Sequence, residues 1–292
     1  MYANKKLKSI LLFLFLFVLS SCATPPLLNP KIPTKEELAI EPQWQKIEDG
    51  IELAEIRIKN MPLILHAVRI DLTNPHLSIV TSEKKQFIKK ENGYDGSMKA
   101  ETVLRFAKRN KALAAINAAM FEYGSMLFGR TRKIIGIHIS EGEVLSAPNP
   151  HYAALLFTND KQALIIDSQK DIPENIAFAV SGIYTILRNG KILDSSIKVG
   201  DSRTAVGIAN NGKTLILLLV EAENTKRSQG LDFESTALFL KRFGAEDGLH
   251  LDGGGSSTLV VKKNGAYKVI DPTIAFLPLR RVASCLGFVI HK

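Results

Sequence analysis

Apolar positions along this chain recur mainly at every second residue, in runs short enough to be strands. Residues 51–58, IELAEIRI, alternate imperfectly, and 63–70, LILHAVRI, put Leu63, Leu65, Ala67 and Arg69 on one side of an extended chain. Residues 77–82, LSIVTS, predict a third strand. The interval changes in 97–110, SMKAETVLRFAKRN, where Val103, Phe106 and Ala107 fall at helical spacing and Ser97 can cap. Small residues then predict a strand over 112–121, ALAAINAAMF, with Asn117 at its exit. KIIGIHIS, VLS, AALLF and ALIID follow as strands between polar turns, and Asn189-Gly190 and Asn211-Gly212 are hairpin dipeptides. The second leads into TLILLLV, apolar throughout and therefore expected at a sheet centre. A second helix is predicted over 232–243, capped by Asp232, with Ala237, Leu240 and Phe243 on one face and a stop at Gly244. VASCLGFVI closes the chain as a strand. Strands outnumber helices and hairpins dominate, so the pattern predicts an α+β fold of mixed, largely antiparallel sheets with two main helices.

The amino-terminal region follows a different logic. Lys5, Lys6 and Lys8 precede an apolar run from Ile10 to Leu19, which is short of the ~20 residues a membrane span needs. Leu19-Ser20-Ser21-Cys22 then resembles a bacterial lipobox. Residues 1–21 are expected to be a signal peptide, Cys22 a lipidation site, and 22–44, with five prolines, an extended tether. Residues 45–292 form the expected folded domain, lipid-anchored in a bacterial cell envelope and either periplasmic or surface-exposed.

Composition narrows the partners. The 292 residues are 46% hydrophobic and 23% charged, an ordinary globular balance. Loss of the three leader lysines lowers the formal charge from +9 to +6, and the excess is dispersed, without a basic stripe interleaved by aromatics. Nucleic acid is therefore not an expected partner, whereas a membrane is, through the lipid anchor. Only Cys22 and Cys285 are present, which excludes metal sites built from cysteine pairs; Cys285, in SCLGFVI, reads as a packing residue.

The stretch GLHLDGGGSSTLVV, residues 248–261, carries the strongest chemical signal. Alternation sends Leu249 and Leu251 to a core and His250 and Asp252 to the other side. Gly253, Gly254 and Gly255 offer bare backbone amides, and Ser256 and Ser257 add hydroxyls, a set suited to phosphate or sugar oxygens. No lysine follows the glycines as in a phosphate loop, no helix opens as in a dinucleotide fingerprint, and the closing glycine of a nucleophile elbow is absent. A wide β-bulge at a crowded sheet centre explains the glycines equally well from the local pattern. His250 reads either as a site neighbour or as a packing residue.

LDGGGSSTLV resembles the signature of the phosphodiester glycosidase family, and other blocks resemble that family in the same order: AINAAMF, SGIYTILRNGK, DSRTAVGI, SQGLDFESTALFLKRFG and LRRVASCLGF. The resemblance is strongest over 112–290. Three blocks depart from it: Ala118-Ala119 replace two glycines and Met120 an aromatic, Glu221-Ala222-Glu223 replaces a D-G-R type sequence, and Ser284 replaces an asparagine. The resemblance implies hydrolysis of a sugar-1-phosphodiester, a glycosidic bond to phosphate, in an envelope or imported glycan. It implies Asp252 and Glu221 as catalytic carboxylates, in an order left open, and Asn117, Arg203, Thr204, Gly253, Gly254, Gly255, Ser256, Ser257 and Arg280 as substrate-binding groups. A carboxylate is what an oxocarbenium-like transition state requires, and arginines with amide donors suit a departing phosphate.

Two alternatives stay open at this point. One is a non-catalytic lipoprotein that binds phosphorylated glycans or cell-wall polymers; the other is a serine hydrolase acting through Ser256. No organic cofactor is expected. A divalent cation is left open, because Asp252, Glu221 and Asn117 are oxygen ligands without a recognised cage spacing. His66, His76, His138, His151 and His291 show no metal-like spacing and read as incidental.

Overall fold

Hairpins build the molecule, and the asparagine–glycine dipeptides sit where they turn. Asn189 and Gly190 have φ of 49° and 70°, the left-handed pair that a two-residue turn demands, and join Thr185–Arg188 to Lys191–Ile192. Asn210, Asn211 and Gly212, all left-handed, reverse the chain between Arg203–Ala209 and Thr214–Val220. The computed structural model describes residues 27–28, 30–123, 130–222, 226–270 and 278–291. The expected signal peptide, Cys22 and Glu223 lie outside them.

The largest sheet has eight strands, in the order Lys191–Ile192, Thr185–Arg188, Asp247–His250, Arg203–Ala209, Thr214–Val220, Leu63–Asp71, Ile51–Ile58 and Gln45–Glu48. A five-stranded sheet runs Ala266–Ile270, Leu259–Lys263, Ala114–Asn117, Cys285–Ile290 and Leu77–Thr81. A second five-stranded sheet holds Glu143–Ser146, His138–Ser140, Ile176–Ser181, Ala154–Thr158 and Ala163–Ile166. A four-stranded sheet holds Phe87–Lys90, Gly93–Lys99, Thr131–Ile134 and Phe121–Tyr123.

The eight-stranded and the two five-stranded sheets share one core, and the four-stranded sheet packs Phe87, Met98 and Ile134 in a smaller cluster of its own. Val68, Val206, Leu217 and Leu249 of the eight-stranded sheet meet Ile116, Leu259 and Phe288 of the first five-stranded sheet, with Leu155, Phe157 and Val180 from the second. The helix Phe233–Arg242 covers the outer face of the large sheet through Ala237 and Leu240, packed with Ala205, Ile216 and Leu218. The helix Val103–Asn110 covers the outer face of the five-stranded sheet, where Phe106 and Ala107 meet Ala115, Val260 and Cys285. Both helices are shorter than the ~12–15 residues at which isolated helices become marginally stable, so packing holds them. Fully buried Phe106 alone contributes about 2–3 kcal/mol of that.

Strand Thr214–Val220 lies inside the large sheet, as its unbroken apolar run predicts. Other expectations are corrected. Every strand pair among the described residues is antiparallel, so the fold is mainly β with two substantial helices rather than a mixed-sheet α+β arrangement. The first helix starts at Val103 behind a Thr102 cap, not at Ser97. Ser97 instead pairs with Lys133 in the four-stranded sheet beside fully buried Met98. The expected strand over 112–121 splits, because Ala118 turns its amide to the Ser284 carbonyl and the chain passes to another sheet at Phe121. Residues 30–44, expected in the tether, lie along the domain: Gln229 donates to the Lys31 carbonyl at 3.0 Å, and Arg242 to that of Leu38 at 2.7 Å.

Candidate functional site

The glycine run is a crossing between sheets rather than the interior of a strand. Asp247–His250 pairs with Arg203–Ala209 in the large sheet, and nine residues after His250 the chain re-enters as Leu259–Lys263 beside Ala114–Asn117 in the five-stranded sheet. A 3-10 turn over Gly254–Ser256 makes the reversal. Gly254 is left-handed there, with φ of 54°. A side chain at Gly253 would stand 2.9 Å from the Ser202 carbonyl oxygen and 3.3 Å from the His250 ring. One at Gly255 would stand 2.5 Å from Nη2 of Arg280. The visitors that forbid side chains are thus parts of the protein itself.

Asn117 ties this turn to both sheets. Its Oδ1 accepts from the Thr204 hydroxyl and from the Thr258 amide, each at 3.0 Å, and its Nδ2 donates to the Asp252 carbonyl at 2.7 Å. The Asp252 amide donates to the Ala118 carbonyl at 2.9 Å. Asn117 and Thr204, expected as substrate contacts, have no exposed surface and face the turn from inside.

Asp252 is half-buried at the start of the turn. Burial pushes its carboxyl up to about 6, opposed by the Ser256 hydroxyl, the Arg280 charge and the Gly253 amide. Arg280 is exposed, lies over Gly255, and places Nη1 3.5 Å from Ser256 Oγ. Ser256 and Ser257 are buried, and Ser257 Oγ has no hydrogen-bond partner among the described residues. On the opposite flank, an Asp201 carboxylate oxygen stands 3.5 Å from where a Gly254 side chain would begin.

Arg203, expected beside a phosphate, is spent internally. Its Nε donates to the Leu231 carbonyl at 2.8 Å and its Nη2 to that of Val199 at 2.5 Å, with the guanidinium 4.8 Å from the Phe233 ring centre. Burial lowers its pKa, while Asp201 and Asp232 oppose that shift. Phe233 in turn stacks on His250 at 4.2 Å. His250 is buried with both ring nitrogens unpartnered among the described residues, and burial, then the Arg203 charge, hold its pKa well below the ordinary value. Among the described residues His250 therefore makes no hydrogen bond to Ser256.

Glu221 belongs to a separate group. It follows Thr214–Val220, two strands from Asp252 and so about 10 Å away along the sheet. Its Oε1 lies 2.7 Å from His66 Nε2 and its Oε2 3.0 Å from Arg227 Nη2. His66 Nδ1 is 3.5 Å from Glu55 Oε2, too long for a good hydrogen bond. Asp252, Glu221 and Asn117 accordingly do not converge into a cation cage. Among the described residues no group of three His, Cys, Asp or Glu side chains could hold a metal ion. His66, read as incidental, is the buried partner of Glu221; the link is visible only once the Leu219–His66 register is known. Phe233 and Asp201 were likewise not singled out as site residues. The helix cap of Asp232 predicted where Phe233 begins but not what its ring covers.

The turn thus presents one half-buried carboxylate and one exposed guanidinium, while the Gly254 amide is given to the Ser202 carbonyl. A family model described as Phosphodiester glycosidase matches residues 110–289. The SPbeta prophage-derived uncharacterized protein YomE of Bacillus subtilis (strain 168) is 24% identical over 222 residues, 65% of this chain and 32% of that protein. The chain therefore spans about a third of the length of that curated relative. Among solved structures, a hypothetical protein from Synechocystis superposes with a TM-score of 0.61 at 15% identity, covering 87% of this chain and 64% of the other. The catalytic domain of zebrafish N-acetylglucosamine-1-phosphodiester alpha-N-acetylglucosaminidase, auto-inhibited by its pro-peptide, superposes with a TM-score of 0.60 at 22% identity, covering 86% and 88%. At these identities the two structures share the fold.

Proposed function

The chain belongs to the phosphodiester glycosidase family, and from that premise we propose that it hydrolyses the glycosidic bond of a sugar-1-phosphodiester, releasing the sugar and leaving a phosphomonoester. The observation that carries this reading is the placing of Asp252 at the start of the glycine turn with the exposed Arg280 guanidinium lying over Gly255, close enough for its charge to favour the ionised carboxylate. Asp252 is the carboxylate that faces the anomeric carbon, where its charge stabilises or attacks an oxocarbenium-like centre. With a pKa near 6 it is mostly ionised at neutral pH, yet only partly solvated and therefore effective. Arg280 takes up the charge of the departing phosphate. Phosphate is a weak base, so its departure demands less of a general acid than an alcohol's would.

Positioning comes from residues behind the turn. Asn117 fixes the Asp252 backbone, and the Phe233–His250 stack supports Gly253 from below. Glu221 acts at a distance, by holding the end of its strand to His66. The lipobox supports placing the domain at a bacterial envelope through lipid on Cys22. Incorporation of a labelled fatty acid that persists in Cys22→Ala would refute that anchor.

The test is turnover of the full chain on a panel of sugar-1-phosphodiesters. The expected result is release of free sugar, lost in Asp252→Asn while ligand binding persists. A wild-type chain that binds such diesters without cleaving any of them overturns the reading in favour of a binding protein.

A further inference from the structure

Beside the turn, a cleft of about 220 Å³ opens between the helix Val103–Asn110 and the four-stranded sheet. Lys85, Lys99, Arg105, Arg109, Arg130 and Arg281 line it. Two carboxylates offset these six cations. Glu101 lies 2.6 Å from Arg109 and 3.8 Å from Arg105, while Glu83 pairs with Arg109 and, at 2.5 Å, with Lys85. Lys99, Arg130 and Arg281 have no carboxylate partner among the described residues, and Lys99 and Arg130 are exposed. Gathering unpaired like charges around a concave, partly desolvated space is unfavourable unless an anion enters it. The volume is well above what a single water requires, enough for one phosphate or carboxylate group with part of its hydration.

The cleft is joined to the turn by adjacent residues. Arg280 lies over Gly255, and the next residue, Arg281, lines the cleft. The strand bridge of Glu101 with Val282 holds that backbone to the cleft wall, through N–H···O bonds of 3.2 and 2.9 Å. Arg280 at the turn and Arg281 in the cleft are thus neighbours along one strand-bridged backbone.

We infer that the cleft is an aglycone site for a polyanionic glycan: the portion of the substrate beyond the scissile phosphate carries at least one further phosphate or carboxylate, held by Lys99, Arg130 and Arg281. This inference rests on the proposed hydrolysis for its substrate, but the anion site itself does not need turnover to be observed. A concave wall that includes Arg281, the residue after Arg280, favours a polymer chain over a flat anionic membrane surface.

Inorganic tripolyphosphate, titrated calorimetrically into the full chain at low salt, is the probe. The expected result is saturable binding that weakens about tenfold or more in Lys99→Ala/Arg130→Ala, with unchanged thermal melting, since both side chains are exposed. Absence of binding, or equal binding in the variant, overturns the inference. Phosphatidylglycerol vesicles form a second arm: vesicle binding lost in the variant, without a tripolyphosphate site, overturns it in favour of a membrane contact. Kinetics separate it from the catalytic reading. A KM raised about tenfold in the variant for diesters with anionic aglycones, and unchanged for neutral ones, supports the cleft. Equal KM values on both classes, without tripolyphosphate binding, overturn the cleft and leave the hydrolysis standing. No turnover on any diester, with tripolyphosphate binding intact and lost in the variant, overturns the hydrolysis and leaves the anion site standing.

Discussion

Arg280 rests on Gly255: a side chain at position 255 would begin 2.5 Å from Nη2 and 2.8 Å from Cζ of the arginine. The obstruction is the far end of an exposed, flexible side chain, so Gly255→Ala displaces the guanidinium rather than the backbone. Stability is expected to stay within about 1 kcal/mol of the wild type. Affinity for a sugar-1-phosphodiester should fall roughly tenfold, the size of a weakened charge-assisted hydrogen bond. Chemical denaturation alongside steady-state kinetics checks both; a large stability loss with unchanged KM would refute the assignment of Arg280 to the phosphate.

Gly253 is the opposite case. Its missing side chain would meet a backbone oxygen, that of Ser202, at 2.9 Å, and the buried His250 ring at 3.3 Å. Neither neighbour can swing away, because the Ser202 carbonyl accepts the Gly254 amide at 2.9 Å. Gly253→Ala is expected to cost about 1–3 kcal/mol by overpacking, and to lower kcat because Asp252 is the next residue. A melting temperature equal to that of Gly255→Ala would contradict the distinction.

The raised pKa of Asp252 makes stability depend on pH. Folded, the carboxyl titrates near 6; unfolded, near its ordinary value of about 4. Between those values the folded state binds more protons, so stability falls as pH rises from about 4 to about 6, and the full cost persists above that. Two units correspond to about 3 kcal/mol. Asp252→Asn should therefore be the more stable protein at pH 7, by up to that amount, and match the wild type near pH 4. Denaturation midpoints at the two pH values measure it; parallel midpoints in both proteins would show that the carboxyl is not desolvated. The acid limb of kcat/KM is expected near pH 6, where Asp252 loses its charge.

How much of this was legible beforehand depends on whether the signal is local. The strands at 51–58 and 63–70 and the Asp232-capped helix were, because periodicity and a capping side chain act within a few residues. The start of the first helix was not: Ser97 is a sound cap in isolation, but pairing with Lys133 and burial of Met98 win. The glycine motif stood out in the sequence without revealing that the chain changes sheets there. Arg203 and Arg280 looked alike as text; only packing shows that Phe233 and two carbonyls occupy the first and leave the second exposed. Glu221 needed the register that sets it beside His66.

Asn117 makes the turn rigid, and its removal exposes what that rigidity contributes. Asn117→Ala leaves the Thr258 amide, the Thr204 hydroxyl and the Asp252 carbonyl without this partner, all in a buried setting. The expected cost is about 2–4 kcal/mol. Asn117→Asp keeps the two acceptor bonds but places a charge where Nδ2 donated to the Asp252 carbonyl, so it should be no better. Equilibrium unfolding of both variants checks this; a mild loss in Asn117→Ala would mean the turn holds itself.

Glu221 and Asp252 can be told apart by a single-atom exchange. Asp252→Asn removes the charge proposed to act on the anomeric centre and should lower turnover by a hundredfold or more, within the range typical of a lost catalytic group. Glu221→Gln keeps the volume and one oxygen for His66 Nε2, 2.7 Å away, and gives up the charge that Arg227 meets at 3.0 Å. Arg227 is largely solvated, with its side chain 56% exposed, so that loss is modest. Turnover is expected to stay within about threefold of the wild type, since the exchange keeps the contact with His66 and the Arg227 partner is solvated. Glu221→Ala differs, because the buried His66 ring loses its one close partner; a cost of about 1–3 kcal/mol follows, read as a lower denaturation midpoint. Turnover of Glu221→Gln as low as that of Asp252→Asn would instead make Glu221 a second catalytic carboxylate, reaching the substrate from two strands away.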